Sequence, residues 1–510
     1  MKETQVQSVQ RTAGNTDSPL IVWIVALIVA GIGDWVMYDA IPGINWEIWT
    51  AAASIGLVFV ARVRGTLNSS ILLMLATATV LAGGSAITAD PFIDALICLS
   101  VMLFLSLAML LAIDPSLNRL TALFVISSPI VAAGNALAES FARLVDLSRT
   151  FRSGRARATV RGAFITVPIV LFFALLLASA DPLFATWRDE LARIIATWSF
   201  IPRTIFFCVL LVIVLGAYSF AVRAVSSILP FERAASAGPT DRWLGATERL
   251  MVIAAVAALF WLFIFVQLSY LFGNAPSTSG SGITFAEYAR RGFSELTIVA
   301  TCSILLILVS ERYGRLNGHA ARLKLATVAL LIAVLIILAS AFHRVSLYEA
   351  AYGYTVSRLY AQVYMLVLAA ALLSLGAVVL GTLDTGALFR RVFTVAVIAF
   401  AVLVLWNHEG WIATANIERY ATTGKLDAVY ITRDLSPNAI PAIVSGLRTL
   451  PEPARTELHD AVVARYGNGR RLRPTRWFEW NLRRQQAREA LATIGLPMTT
   501  RAPVVVRTTN

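Results

Sequence analysis

Charge is scarce in this 510-residue chain. Only 14% of its residues are Asp, Glu, Lys or Arg, where a soluble globular protein carries roughly 25%. Cysteine is scarcer still: Cys98, Cys208 and Cys302 all fall inside apolar segments. That placement excludes a disulfide framework and a thiolate metal site, and leaves three packing thiols. Four histidines (His319, His343, His408, His459) are scattered without ligand spacing. No Gly-rich phosphate loop, no His-Glu-x-x-His pair and no nucleophile elbow occurs. The sequence therefore offers no catalytic residue, no metal ligand and no cofactor site, and the reading leans away from an enzyme. It also lacks a convincing internal repeat, which weighs slightly against an inverted-repeat transporter.

What the chain has is length of apolar run. Hydrophobic residues make up 58% of it, and mean hydropathy is +0.72. Leu250–Val266 is apolar without interruption, and Leu325–Ala339 nearly so. A helix rises about 1.5 Å per residue, so about 20 such residues cross about 30 Å of hydrocarbon. Several helices that are apolar all round have no place in one soluble core. The expected fold class is all-α: a polytopic transmembrane helix bundle of 11–13 spans with a small helical soluble tail. Spans are expected near 20–38, 44–62, 69–87, 92–113, 119–139, 160–179, 204–224, 247–272, 291–310, 323–342, 359–380 and 391–409. The first is too long for a signal-peptide core and reads as retained. The expected division is a disordered segment 1–19, a transmembrane domain 20–410, a helical tail 411–496 and a disordered end 497–510.

The formal charge of +13 comes from 40 Arg and 3 Lys against 30 acidic residues. These cations sit mostly between apolar segments and in the tail, a positive-inside pattern with attraction to anionic lipid. The expected partners are thus the bilayer, anionic lipid and a protein at the tail, not nucleic acid. Arg143–Arg161, Arg223–Arg249 and Arg312–Lys324 are rich in Arg, whereas Gly273–Ala289 has no Lys or Arg. From Arg143 onward, alternation puts the tail outside. Lys2, Arg11, Arg62, Arg64 and Arg119 favour an inside N-terminus, and five spans would then put the Arg143 loop outside as well. Either one early segment does not cross or one of the two charge biases misleads. Segment 119–139, with Ser127, Ser128, Pro129, Gly134 and Asn135, is the suspected non-crossing element.

In the tail, Ser436-Pro437 supplies an N-cap and an N1 proline. Ile440, Ile443, Val444 and Leu447 follow at helical spacing. Helices are expected over 452–466 and 475–494, the latter mixing Trp477 and Trp480 with Arg476, Arg483, Arg484 and Arg488. Trp with Arg suits an interfacial docking surface, and a small helical core explains the same pattern.

Four stretches carry a family resemblance. They are Asp34-Trp35-Val36-Met37-Tyr38 with Pro42-Gly43, the run from Tyr288 through Leu296, and the run from Leu347 through Thr355 with Arg358. The fourth is Asn416-Ile417-Glu418-Arg419-Tyr420 with Gly424 through Asp427 and Leu435 through Ala442. Together they resemble the bacterial domain of unknown function 4173 family. The resemblance implies a bacterial inner-membrane protein and brings no activity.

Two polar groups stand out. Glu287, Arg291 and Glu295 are spaced four apart at the entry to the ninth expected span, with Arg290 adjacent. They form either a headgroup-level ion pair or an intramembrane functional charge. Arg344, Glu349 and Arg358 lie among Tyr348, Tyr352, Tyr354, Tyr360 and Tyr364. That is an aromatic belt, or a vestibule for an anionic ligand. Asn416, Arg419 and Tyr420 form a candidate tail motif. Asp34, and His408 with Glu409, read as interfacial caps. Glu311 through Arg315 resembles a major-facilitator loop only by chance. Three readings follow: transport or accessory service for a small or lipid-like substrate, a sensor or scaffold acting through the tail, and, last, an envelope enzyme. Transport requires Glu295 to converge with Arg290, Arg291, Arg344 or Arg358. The sensor reading requires exposed Trp477 and Trp480.

Overall fold

The structure, a computed structural model, describes residues 19–113, 122–148, 200–222, 245–271, 293–313, 320–381, 385–467 and 476–496, with single positions 166, 170 and 190. The expected span at 160–179 and both terminal segments, 1–19 and 497–510, lie outside the described residues apart from Pro19 and single positions. Every described element is helical. The bundle contains α1 (Pro19–Met37), α2 (Ile44–Arg64), α3 (Ser69–Ala82), α4 (Gly84–Ile87), α5 (Pro91–Ile113), α6 (Ala122–Ser148) and α7 (Phe200–Ala221). It continues with α8 (Ala246–Leu271), α9 (Phe293–Tyr313), α10 (Ala320–Tyr352), α11 (Val356–Leu380) and α12 (Thr385–Leu405). Ten helices among the described residues are long and apolar enough to cross a membrane, α3 and α4 counting as one. Their outer faces expose Leu73, Val80, Phe265, Leu305 and Leu325, where a water-soluble helix would carry charge. The chain is a multi-pass α-helical membrane protein.

Helix direction follows from the ends that meet. Arg64 donates to Ala221 O, 3.1 Å, joining the ends of α2 and α7. Arg249 at the start of α8 pairs with Glu311 at the end of α9, 2.6 Å. Lys324 near the start of α10 donates to Leu380 O at the end of α11, 3.1 Å. These ends define one face of the bundle, the far face. Arg203 at the start of α7 meets Asp34 near the end of α1, 2.8 Å, on the opposite face, which also carries the tail.

Segment 119–139, the suspected non-crossing element, is not among those ten helices. Its described part belongs to one continuous helix, α6, whose 27 residues extend about 40 Å. The helix runs antiparallel to α7: Val125 and Ala132 share a core cluster with Phe220, and Ser140 Oγ donates to Val212 O at 2.6 Å. Thus α6 ends, and α7 begins, toward the tail face. Arg62, Arg64, Arg249 and Lys324 then gather at the far face. Arg143 lies in the tail-face half of α6, and the rest of the Arg-rich stretch that it opens lies outside the described residues.

Two apolar groups make the bundle. Val22, Leu57, Ile71, Leu111 and Leu215 knit α1, α2, α3, α5 and α7 together. Ile253, Ile307, Leu330, Ile337 and Leu372 do the same for α8 through α11. The last spanning helix, α12, reaches the first group through Phe393 on Phe104, 6.0 Å, and through Leu403 and Val404 beside Ile93 and Ile97.

The tail comprises α13 (His408–Thr423), α14 (Ala428–Arg433), α15 (Ile440–Gly446), α16 (Ala454–Tyr466) and α17 (Leu482–Ala492), with 3-10 turns at Pro437–Ala439 and Trp477–Glu479. Ser436 caps the first turn as its sequence predicts, and Ile440, Ile443, Val444 and Leu447 are buried. The helix expected over 475–494 is instead a 3-10 turn and a shorter helix. Asn481 breaks it, because its side chain accepts from Arg484 N and opens α17. The tail core also takes in Leu359 of α11, with Val356 packed against it, so tail and bundle share apolar packing.

Candidate functional site

Where the tail meets the bundle, polar side chains are buried in a continuous seam. Its bundle side is the short link Thr88-Ala89-Asp90 between α4 and α5. Asp90 precedes Pro91, and one carboxylate oxygen accepts from Phe92 N at 2.8 Å, capping α5. The other oxygen accepts from Tyr360 Oη of α11, 2.6 Å, and faces His408 Nε2 of α13 at 3.5 Å. Tyr360 Oη also lies 3.1 Å from His408 Nε2. A phenol has one proton, so with that proton on Asp90 it accepts from an Nε2–H. In the neutral ring Nδ1 then carries the lone pair, and among the described residues Nδ1 has no partner. Three elements thus converge on one carboxylate.

The seam continues through the tail. Glu409, beside His408, accepts from Ser436 N at 2.8 Å and from Ser436 Oγ. Asn438 accepts from Ala89 N, 2.9 Å, and donates to Thr88 Oγ1, 3.1 Å. Asn407 donates to Asn438 O at 3.0 Å. Asn481, fully buried, donates to Ser85 O and Thr88 O at 2.8 and 2.6 Å. A buried amide without partners would cost several kcal/mol; each of these has them.

The two seam carboxylates are driven apart. Burial pushes Asp90 up, but hydrogen bonds from His408, Tyr360 and Phe92 N–H, with the histidine charge, outweigh it and hold it below the usual range. Burial raises Glu409, the Ser436 hydrogen bonds oppose this, and the nearby Asp90 charge adds to the rise.

A second attachment holds the link after α1. Arg476 donates to Tyr38 O and Asp39 O, 3.2 and 2.5 Å, and pairs with Glu479 at 2.7 Å. Glu479 accepts from Ile41 N at 3.3 Å, Trp480 O from Ile44 N at 3.0 Å, and Pro42 O from Arg484 at 2.5 Å. Gly43 lies so close beneath that a Cβ would stand 2.7 Å from the Glu479 backbone. Arg476 keeps Glu479 ionised: burial pushes that carboxyl up, and the Arg476 hydrogen bonds outweigh the burial.

The residues singled out from sequence land in different places. Glu287, Arg290 and Arg291 lie outside the described residues. Glu295 is exposed at the start of α9 and accepts from Ser294 Oγ at 2.9 Å. Arg344 and Glu349 are buried on α10; Glu349 accepts from Gln362 at 2.7 Å. Arg358 stacks on Tyr348, 4.1 Å, and donates to Gly353 O. Asn416 and Arg419 of the tail motif close onto the α10–α11 link. Asn416 exchanges hydrogen bonds with Tyr354 N and O, 2.9 and 2.8 Å, and Arg419 donates to Ala350 O at 3.0 Å. Gly353 turns there with φ +88, a conformation that favours glycine. Tyr420 packs at the edge of the tail core. Trp477 and Trp480 are 63% and 42% exposed.

His408 and Glu409 are not an interfacial cap. They are buried at the seam's centre because α13 starts at Asn407, whose side chain accepts from Gly410 N, and turns them inward. Sequence reasoning missed Asp90, Asn438 and Asn481, and read Tyr360 as part of an aromatic belt or vestibule rather than as a partner of Asp90. The Asp90-Pro91 cap was the available signal; the two asparagines gave none, because their partners are backbone groups and Thr88.

Residues 71–446 match the family model described as domain of unknown function (DUF4153). The four stretches resemble a differently numbered family, 4173, so what the match supports is an uncharacterised domain family. No curated protein and no solved structure matches the chain.

Proposed function

Because the chain belongs to the DUF4153 family, a domain of unknown function, we propose from its geometry that it is a bacterial inner-membrane scaffold, an accessory protein rather than a carrier. Its tail is a fixed cap over the bundle. The observation that carries this reading is the buried seam, in which Asn438 and Asn481 of the tail bond to Thr88 and its neighbours. A tethered sensing domain would meet its anchor through exposed contacts; this tail shares a core with α11. The far face, carrying Arg62, Arg64, Arg249 and Lys324, is cytoplasmic by the positive-inside rule, which puts the cap outside. The likeness to the 4173 family reads as kinship between two uncharacterised membrane families.

Transport is favoured less. It asks Glu295 to converge with Arg290 or Arg291, which lie outside the described residues, and with Arg344 or Arg358. Glu295 is exposed at the start of α9, whereas Arg358 is held by Tyr348 and Gly353. The two readings separate in a strain lacking the gene. Complementation of its envelope phenotype is expected to fail with Asn438→Asp plus Asn481→Asp, and to survive Glu295→Gln plus Arg358→Gln at equal membrane abundance. The reverse pattern sinks the scaffold.

A further inference from the structure

The exposed aromatic rings on the tail face indicate what lies against the tail's edge. Trp35 stands in the last turn of α1, a spanning helix, and is 54% exposed. An exposed ring at the end of a span sits among lipid headgroups, where indole is favoured for its apolar body and its N–H. Trp477 of the tail packs edge-on against it, ring centroids 5.8 Å apart, and Phe478 packs at 6.0 Å. Trp477 therefore shares the depth of Trp35. In the same turn Phe478 and Glu479 are buried while Trp477 and Trp480 face out. The pattern recurs on the other helix group: Trp406, just after α12, packs against Trp411 of α13 at 5.6 Å, and Tyr354 does so at 5.1 Å. Both of these tryptophans are about two-fifths exposed. Twice, then, a ring from the end of a span is joined to a ring from the tail, with both left open on the outside. Cationic charge lies at the same level. Arg203 opens α7, has its Nε held by Asp34 at 2.8 Å, and approaches the Tyr38 ring at 5.9 Å with half its side chain exposed.

We infer that the tail lies partly within the bilayer interface: Trp411, Trp477 and Trp480 seat in the phospholipid headgroup layer of the tail-face leaflet. Arg203 sets a cation at the level of the lipid phosphates. Lipid is the occupant these rings fit, because Trp477 and Trp411 each continue the surface of a span-end ring. Trp480, exposed beside Trp477, accepts through its carbonyl from Ile44 N at the start of α2. A soluble protein partner would have to approach across the membrane plane to cover them.

The full chain, with Cys98, Cys208 and Cys302 replaced by alanine, is reconstituted in vesicles of phosphatidylethanolamine and phosphatidylglycerol. Nitroxide labels go to Trp477→Cys, Trp480→Cys and, as a control on the tail's polar side, Asp460→Cys. The ratio of oxygen to nickel-chelate accessibility is expected to be several-fold higher at 477 and 480 than at 460. Equal ratios at all three positions overturn the inference. Since a cysteine at 477 removes the ring paired with Trp35, the wild-type tryptophans are tested too, with lipids brominated near the headgroup. Trp477→Phe with Trp480→Phe is expected to lower the quenched fraction of emission, and an unchanged fraction also overturns it. Omitting phosphatidylglycerol tests the cation: label depth holds, while Arg203→Gln matters only in the anionic vesicles. No difference between wild type and Arg203→Gln in either vesicle removes Arg203 from the site.

Discussion

The tail is fastened to the bundle twice, and the two fastenings are built on different physics. The inner seam joins Thr88–Asp90, Tyr360, His408, Glu409, Ser436, Asn438 and Asn481, all buried or half-buried and, Asn481 apart, all inside the family match of residues 71–446. The outer clamp joins residues 38–44 to 476–484, and both of its partners lie outside that match. The seam relies on neutral amides and hydroxyls around carboxylates in a place water does not reach. The clamp relies on guanidinium groups reaching backbone carbonyls at a partly exposed edge. Low dielectric makes each seam bond strong and each loss severe, whereas solvent screens the clamp. The difference teaches that the seam fixes how the tail sits, and the clamp adds grip on the first hairpin.

Breaking the seam should therefore cost most. Asp90→Ala strands the Tyr360 hydroxyl, the His408 ring and Phe92 N–H together, and a buried network that loses its charged member is expected to lose about 3–5 kcal/mol. Release of the tail to protease in nanodiscs would measure it; wild-type protection in the variant refutes the hierarchy. Asn438→Ala removes one amide and leaves Ala89 N–H without its acceptor, for about 1–3 kcal/mol by the same assay. In the clamp, Glu479→Gln removes the charge from a buried carboxylate whose partner Arg476 is about a quarter exposed and leaves an amide oxygen to accept, for about 1 kcal/mol. A clamp variant that releases the tail as fully as Asp90→Ala would invert the comparison.

Acidity offers the gentlest separation. Asp90 is held below its ordinary pKa, so its stabilising contribution is present above the usual Asp range and is lost as pH falls through the lowered value. Glu479 behaves in the same direction. Glu409 is raised, so its contribution is present below the usual Glu range and is lost as pH rises through the raised value. Seam docking should thus weaken in two directions, as pH falls through the lowered Asp90 value and as pH rises from the usual Glu range through the raised Glu409 value. Protease protection followed against pH in wild type and Glu409→Gln checks this. The variant should lose the weakening on rising pH and keep the acid one.

Much of this was legible in the sequence, and the remainder has definable causes. Apolar runs such as Leu250–Val266 announce spans because hydrocarbon tolerates nothing else. Ser436-Pro437 and the Ile440 stripe gave the tail's first turn, since capping is local. The continuity of α6 was hidden because Ser127, Pro129 and Asn135 look polar in isolation. In the fold Asn135 donates to Val131 O within the helix, and Ser140 reaches Val212 O of α7. The seam was hidden for a different reason. Thr88 and Asn438 are 350 positions apart, and no local pattern records a bond of that range. Of the residues chosen for chemistry, Asn416 and Arg419 were near the tail–bundle contact, and His408 with Glu409 proved to be its centre.

Arg476 reaches back across 438 positions to Tyr38 O, and that distance is also a delay. A ribosome adds about 5–20 residues per second, so the first hairpin is in place roughly 20–90 s before the tail that covers it exists. Throughout that interval the backbone N–H groups of Ile41 and Ile44 have only water or lipid headgroups to bind. A nascent chain that stalls before Arg476 lacks the acceptors that Glu479 and Trp480 supply to these two groups.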